Sequence, residues 1–352
     1  MNVLRAFPGL VIDTEWADRV TTGPYDAYTP KQRAALAEAN PYSFLHVTRS
    51  QEDVPVDQLD DIDGLITGCT TAMQRIYDAG AYVAHEEPSL FLYRMEVGDH
   101  SQTGILGVVP VTDSNDRRIL RHESVRPGRA DLLTRHLLEV GMSSSPISLT
   151  YRTDEGLNSV IASCTAGRPI LESTSEGVHQ TVWVAAGGDA DALIHAMGDR
   201  TLYVTDGHHR LAAAEEARNR VAPTHPDHPL QWTEAVLFPD AEMLVLPFHR
   251  RVGDRAGRSG EAIIEALAKC GPLQARADAE AARPTGPGTV GVYVDGRWFS
   301  LELPTAIGSR AVDHLDVSRL QDGVLAPAFG ITDPGSDPMI DYVPEPVGLA
   351  AL

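Results

Sequence analysis

Residues 201–220 read TLYVTDGHHRLAAAEEARNR, and this stretch decides the fold class. Thr201 to Thr205 alternates as a short strand, Asp206-Gly207 breaks it, and Leu211 to Arg220 is built of good helix formers. A strand, a glycine turn and a helix in immediate succession form the basic unit of an α/β chain. The amides of a helix's first turn carry partial positive charge, which makes such a turn an anion site. Gly207 lets backbone approach a ligand closely, while His208, His209 and Arg210 add side-chain donors. Asp206 places a carboxylate where the Mg²⁺ of a metal–phosphate would sit. The plainer reading is a capped helix with surface histidines. Asp, two His and Arg in a single turn argue against it.

Outward from there, the spacing predicts helices over 30–40, 65–79, 129–140, 189–197 and 261–269. Strands are expected over 44–48, 90–97, 105–111, 148–151 and 181–185. A strand pair is expected over 234–238 and 243–248, turning at Pro239-Asp240. A hairpin over 290–294 and 298–303 turns at Asp295-Gly296. Residues 253–260, GDRAGRSG, read as a linker. The class is α/β with a mixed sheet, in three parts: an N-terminal lobe over 1–100, a core over 101–252 and a C-terminal lobe over 253–352.

Composition limits the partners. The chain has 352 residues, 43% hydrophobic and 22% charged, the proportions of a folded globular protein. Its net charge of −20 repels phosphate backbones and anionic lipid, so neither nucleic acid nor a membrane surface is expected as partner. Lys31 and Lys269 are the only lysines, so phosphate chemistry must run on Arg, His and backbone amides. Cys69, Cys164 and Cys270 have no CxxC spacing, which supports neither a disulfide framework nor a zinc knuckle; three buried reduced thiols are expected. The opening MNVLRAFPGLVIDTEW has too short an apolar run for a secretory signal, and a cytoplasmic protein is expected.

Two further segments carry chemistry. Arg121-His122-Glu123-Ser124-Val125-Arg126-Pro127, with Arg129 beyond, sets one carboxylate among cations just before a helix. Glu123 could take a proton from an attacking hydroxyl, and Arg126 or Arg129 could hold substrate charge. An ion-paired structural Glu is the bland alternative. Leu246-Pro247-Phe248-His249-Arg250 ends an apolar run with a second His-Arg pair, an anion contact or a solvated strand end. No GxxxxGK[ST] occurs, so this is not a P-loop protein, and DGHHR lacks the spacing of a catalytic zinc site.

HESVRP, SPISLTY, YVTDGHHRLAAA and LPFHR, in that order, resemble the bacterial and archaeal domain-of-unknown-function ten-fifteen family. GPYDAYTP, NPYSFLHV and EEPSLFLYRM resemble that family's first lobe. The pairing of HE with a downstream DGHHR is also the mark of SerK-type free serine kinases, which have a ParB/sulfiredoxin-like nucleotide-binding core. The resemblance implies Glu123 as catalytic base with His208 beside it, and Asp206 on the metal side. It implies Gly207, His208, His209 and Arg210 as the phosphate cradle. The residues themselves offer His122, Arg126, His249 and Arg250 as candidate substrate contacts, Arg126 foremost because it lies three residues from Glu123. ATP or ADP with Mg²⁺ would be the cofactors, and a hydroxyl amino acid such as serine the acceptor. The chain departs from the family after Ile340 to Val343, where a KSTYF-PK-like motif is usual. In the kinases a similar segment helps hold the substrate's carboxylate, so the phosphate half of the reading rests on more residues than the serine half. The alternative is a non-catalytic nucleotide-binding regulatory module of ParB-like type.

Overall fold

In a computed structural model, nine strands of the first 245 residues form one mixed sheet. The structure describes every residue except 1, 24, 26, 27, 55, 112–116, 123, 124, 126, 176, 247, 336 and 345–352. The strands are β1 (Phe7–Ile12), β2 (Tyr82–Val97), β3 (His100–Pro110), β4 (Ile119–Leu120), β5 (Ile147–Tyr151), β6 (Leu171–Ser175), β7 (Val178–Ala186), β8 (Leu202–Asp206) and β9 (Trp232–Pro239). Their order is β4-β8-β5-β9-β3-β2-β7-β6, with β1 on the first half of the long β2. Among the described residues only β4/β8 and β5/β9 are parallel. The helices of this unit are α1 (Thr14–Val20), α2 (Pro30–Ala39), α3 (Ile62–Asp78), α4 (Pro127–Arg135), α5 (Glu155–Cys164), α6 (Gly188–Met197) and α7 (His208–Val221). A π-helical turn, His136–Val140, continues α4 and ends at Gly141 in the left-handed region, φ 82°.

Period-two burial builds the core. Leu202 and Val204 of β8 point inward while Tyr203 stays exposed, and Ile147, Leu149 and Tyr151 of β5 do the same. Leu157 of α5, Leu193 and Met197 of α6 and Leu211 of α7 close over these strands in one apolar cluster. A second cluster joins Val20 of α1, Val47, and Ala72 and Ile76 of α3. Among the described residues no helix is long and apolar enough to cross a membrane. All three cysteines are free; Cys69 is buried, whereas Cys164 and Cys270 are partly exposed.

The sequence and the structure divide the chain differently. The compact units are Met1–Val245 and Leu246–Leu352, with no break at residue 100. Val97 pairs with His100 across Gly98-Asp99, a two-residue hairpin loop that binds both sides of that position into one sheet. Residues 243–246 form no strand, and the expected pair with 234–238 does not exist. Both edges of β9 are already taken, by β3 and β5, so no edge is left for a hairpin partner. Residues 44–46 form a short 3₁₀ turn in place of a strand, opened by Ser43 on Leu45 N–H (3.4 Å).

In the second unit, β10 (Phe248–Val252) pairs with β14 (Ile340–Pro344). The strands β11 (Leu273–Arg276), β12 (Thr289–Val294) and β13 (Arg297–Glu302) form a three-stranded sheet. Helix α8 (Gly260–Cys270) contributes Leu267 to the core beside it. The expected linker over 253–260 belongs to this unit: Gly253 N–H donates to Met339 O (2.7 Å), and Arg258 Nη2 pairs with Asp254 (2.7 Å).

His136 gives the first unit a measurable pH dependence. The ring is 5% exposed, and burial pushes its pKa below the ordinary histidine value, against a raising backbone hydrogen bond with Arg49. A base with a depressed folded pKa must lose stabilising free energy as pH falls below its unfolded value of about 6.5. Urea unfolding at pH 7.5 and pH 5 should show wild type losing stability on acidification. His136→Gln should show a visibly smaller loss; equal slopes for the two would remove His136 as the cause.

Candidate functional site

Parallel β4 and β8 end side by side. Leu120 sits opposite Tyr203, and Arg118 O accepts from Leu202 N–H (2.8 Å). Both strands therefore release the chain at one end of the sheet, β4 into Arg121-His122 and β8 into Gly207. β5 runs antiparallel to β8 with Ser148 opposite Asp206, so the loop before β5 reaches the same end. Open α/β sheets bind ligands outside the carboxyl ends of such parallel strands.

Gly207 makes the turn. Its φ of 93° lies in the left-handed region, where a side chain is strained. A Cβ there would also stand 3.0 Å from both Arg210 Nε and Ile147 Cγ2. α7 starts directly afterwards with no side-chain cap. By contrast, Asp13, Thr29, Asp61 and Asp154 cap α1, α2, α3 and α5. The first-turn amides of α7 have the polarity an anion needs.

His208 faces inward. It is 3% exposed, and its ring meets that of His122 edge to face with centroids 4.5 Å apart. His122 N–H donates to His208 Nε2 at 3.5 Å. The HE and DGHHR segments, 86 positions apart at this contact, thus meet. Arg121 strengthens the junction: Nη1 and Nη2 donate to Glu215 Oε2 (2.9 Å) and Oε1 (2.6 Å) on α7. Two more ties hold α4 along α7, Thr134 Oγ1 to Ala213 O (3.4 Å) and Arg220 Nη2 to Asp131 (2.6 Å). Buried Ala213, Ala214 and Ala217 leave room for that close packing.

Arg210 turns toward the sheet. Nη1 donates to Ser145 O (3.1 Å), Pro146 O (2.6 Å) and Ser145 Oγ, and Nη2 pairs with Asp206. Its side chain is only 15% exposed, while that of Asp206 is 77% exposed. Arg210 therefore staples α7 to the loop before β5, and Asp206 presents its carboxylate to solvent. Among the described residues no group of three or more His, Cys, Asp or Glu could hold a metal. A phosphate-bound Mg²⁺ takes only one or two protein carboxylates, and Asp206 is the exposed carboxylate at this turn, paired with Arg210.

The sequence-predicted residues divide three ways. His122, Asp206, Gly207, His208, His209 and Arg210 come together at one end of the sheet. Glu123 and Arg126 lie outside the described residues. His249 and Arg250 sit on β10 of the second unit, opposite Val343 and Tyr342. There Arg250 stands over the Tyr342 ring (5.5 Å) and lines a cavity of about 230 Å³ with Gln321 and Asp322. Glu215 and Ser145 had not been expected at the site. Glu215 follows His208 by two helical turns and so shares its stripe of α7, but nothing in the sequence names its partner.

A family model described as "Protein of unknown function (DUF1015)" matches residues 4–318, and the chain belongs to that family. No curated protein and no solved structure matches the chain.

Gly207→Ala should destabilise the first unit by about 1–3 kcal/mol through backbone strain, with the crowding of Arg210 and Ile147 in addition. Gly177→Ala is the control, since Gly177 has a similar φ of 80° with nothing near its Cβ position. Urea titrations should rank Gly207→Ala as clearly worse. Equal losses would show that the packing around Gly207 contributes nothing.

Proposed function

We propose that the chain is a small-molecule kinase with a ParB/sulfiredoxin-like core, acting in the cytoplasm on a free hydroxyl amino acid. The observation that carries this reading is the contact of His122 with His208, which joins the HE and DGHHR segments at the carboxyl ends of two parallel strands. Phosphoryl transfer asks a protein mainly for positioning and charge stabilisation. The α7 amides and Gly207 would cradle the transferred phosphoryl group of ATP or ADP. Mg²⁺, held at Asp206, would neutralise phosphate charge. Glu123 would accept the proton of the acceptor hydroxyl while its oxygen attacks phosphorus. The bond from phosphorus to the leaving nucleotide oxygen breaks as the phosphoester forms. Arg126 would grip the acceptor carboxylate.

Removing the base should separate chemistry from binding. Glu123→Gln keeps the shape of the side chain, so nucleotide affinity should persist while turnover falls about 100-fold or more. Asp206→Asn should instead weaken Mg²⁺-dependent nucleotide binding. Calorimetry showing the reverse pattern would exchange the two roles. Tight nucleotide binding by wild type without transfer to any acceptor would favour the regulatory-module reading.

The acceptor has its own test. A bidentate grip on a carboxylate needs the planar guanidinium fork, so Arg126→Lys should raise the acceptor KM far more than the nucleotide KM. A phosphorus-NMR screen of hydroxyl amino acids with ATP and with ADP, on wild type and variant, reads both. Equal rises in the two KM values would take Arg126 out of the acceptor site.

A further inference from the structure

His122 reaches the site just after the end of β4, which is only two residues long, Ile119 and Leu120. So short a strand cannot by itself fix the direction of the chain beyond it. Arg121 is the first residue after β4, and both of its terminal nitrogens bind both oxygens of Glu215, at 2.9 and 2.6 Å. Each side chain is only 17% exposed, so the pair is shielded from water and salt. Fork-on-carboxylate geometry fixes orientation as well as distance. Glu215 stands on α7 on the same stripe as His208, whose ring receives His122 N–H and packs against the His122 ring. One helix therefore carries the DGHHR turn at its start and, two turns later, a grip on the chain immediately before HE.

We propose that Arg121 and Glu215 are positioning residues, a clamp that sets His122 in register with the DGHHR turn. This rests on the kinase reading for its catalytic consequence, though the clamp itself can be read without any activity. Neither residue touches the phosphate cradle as described, so nucleotide binding should be nearly indifferent to the clamp. Chemistry should not be, because a displacement of about 1 Å between reacting groups can cost about 100-fold in rate.

The test uses the full chain with Glu215→Gln, Arg121→Lys and the charge reversal Arg121→Glu/Glu215→Arg. The direct readout is residue-resolved amide exchange at His122 and Leu120, compared with Val204 in the body of β8. In both single variants, exchange at His122 should speed up about tenfold or more while Val204 keeps its protection. The charge reversal should recover much of that protection, which a general loss of stability would not allow. ATP affinity by calorimetry should stay within about threefold, and turnover should fall about 100-fold at nearly unchanged nucleotide KM. Unaltered His122 exchange in both single variants would overturn the clamp, whatever the activity. So would a loss of protection shared equally by His122 and Val204. If wild type transfers no phosphoryl group, the kinase reading fails, and the exchange pattern still decides the clamp.

Discussion

The left-handed turn at Gly207 fixes where α7 leaves the sheet, and most of the site follows from α7. Strand β8 is held on both sides, by β4 in parallel and β5 in antiparallel pairing, so its end is a fixed point. A turn with φ near 93° then sends the chain directly into a helix, with no loop between. From that fixed start, α7 touches four separate parts of the chain. Arg210 takes the loop before β5, Glu215 takes Arg121, and Ala213 with Arg220 takes α4. Arg218, one turn further on, bonds Val111 O at the end of β3. A side chain at 207 would strain this turn and crowd Arg210 and Ile147, where α7 begins.

How much of this could be read beforehand depends on whether the signal was local. The strand–glycine–helix unit at 201–220 was legible because its own residues specify it: alternation, then a required positive φ, then helix formers. The hairpin at Asp295-Gly296 was legible for the same reason, and Asp295 does take a positive φ of 50°. The expected strand over 243–248 failed because strand formation depends on a free edge, and β3 and β5 had taken both edges of β9. Continuity across residue 100 had no such local signal: a two-residue loop at Gly98-Asp99 joins β2 to β3, whose outer partners, β7 and β9, lie more than 80 residues away. At the site, the residue types in DGHHR were visible but their directions were not. Arg210 looked like a phosphate contact, and only the position of Ser145 and Pro146 shows that it faces the sheet.

That reversal changes how an anion would be held at the turn. His208 and Arg210 serve contacts within the protein, and their burial keeps them there. What the turn offers outward is an exposed carboxylate on Asp206 and the backbone dipoles of α7's first turn. A chain with a net charge of −20 and two lysines is poorly equipped to attract phosphate at long range. Helix amides act at short range, and their orientation is set by the fold before any ligand arrives, so no reorganisation accompanies binding. Asp206 would oppose a bare anion there, so the proposed kinase reading would place a divalent cation between the carboxylate and the phosphate. Arg210, already paired with Asp206, tempers that repulsion and holds the carboxylate in one place. On the proposed kinase reading, bare phosphate would meet a carboxylate, whereas a metal–nucleotide would meet a ligand and a set of dipoles aligned to receive it.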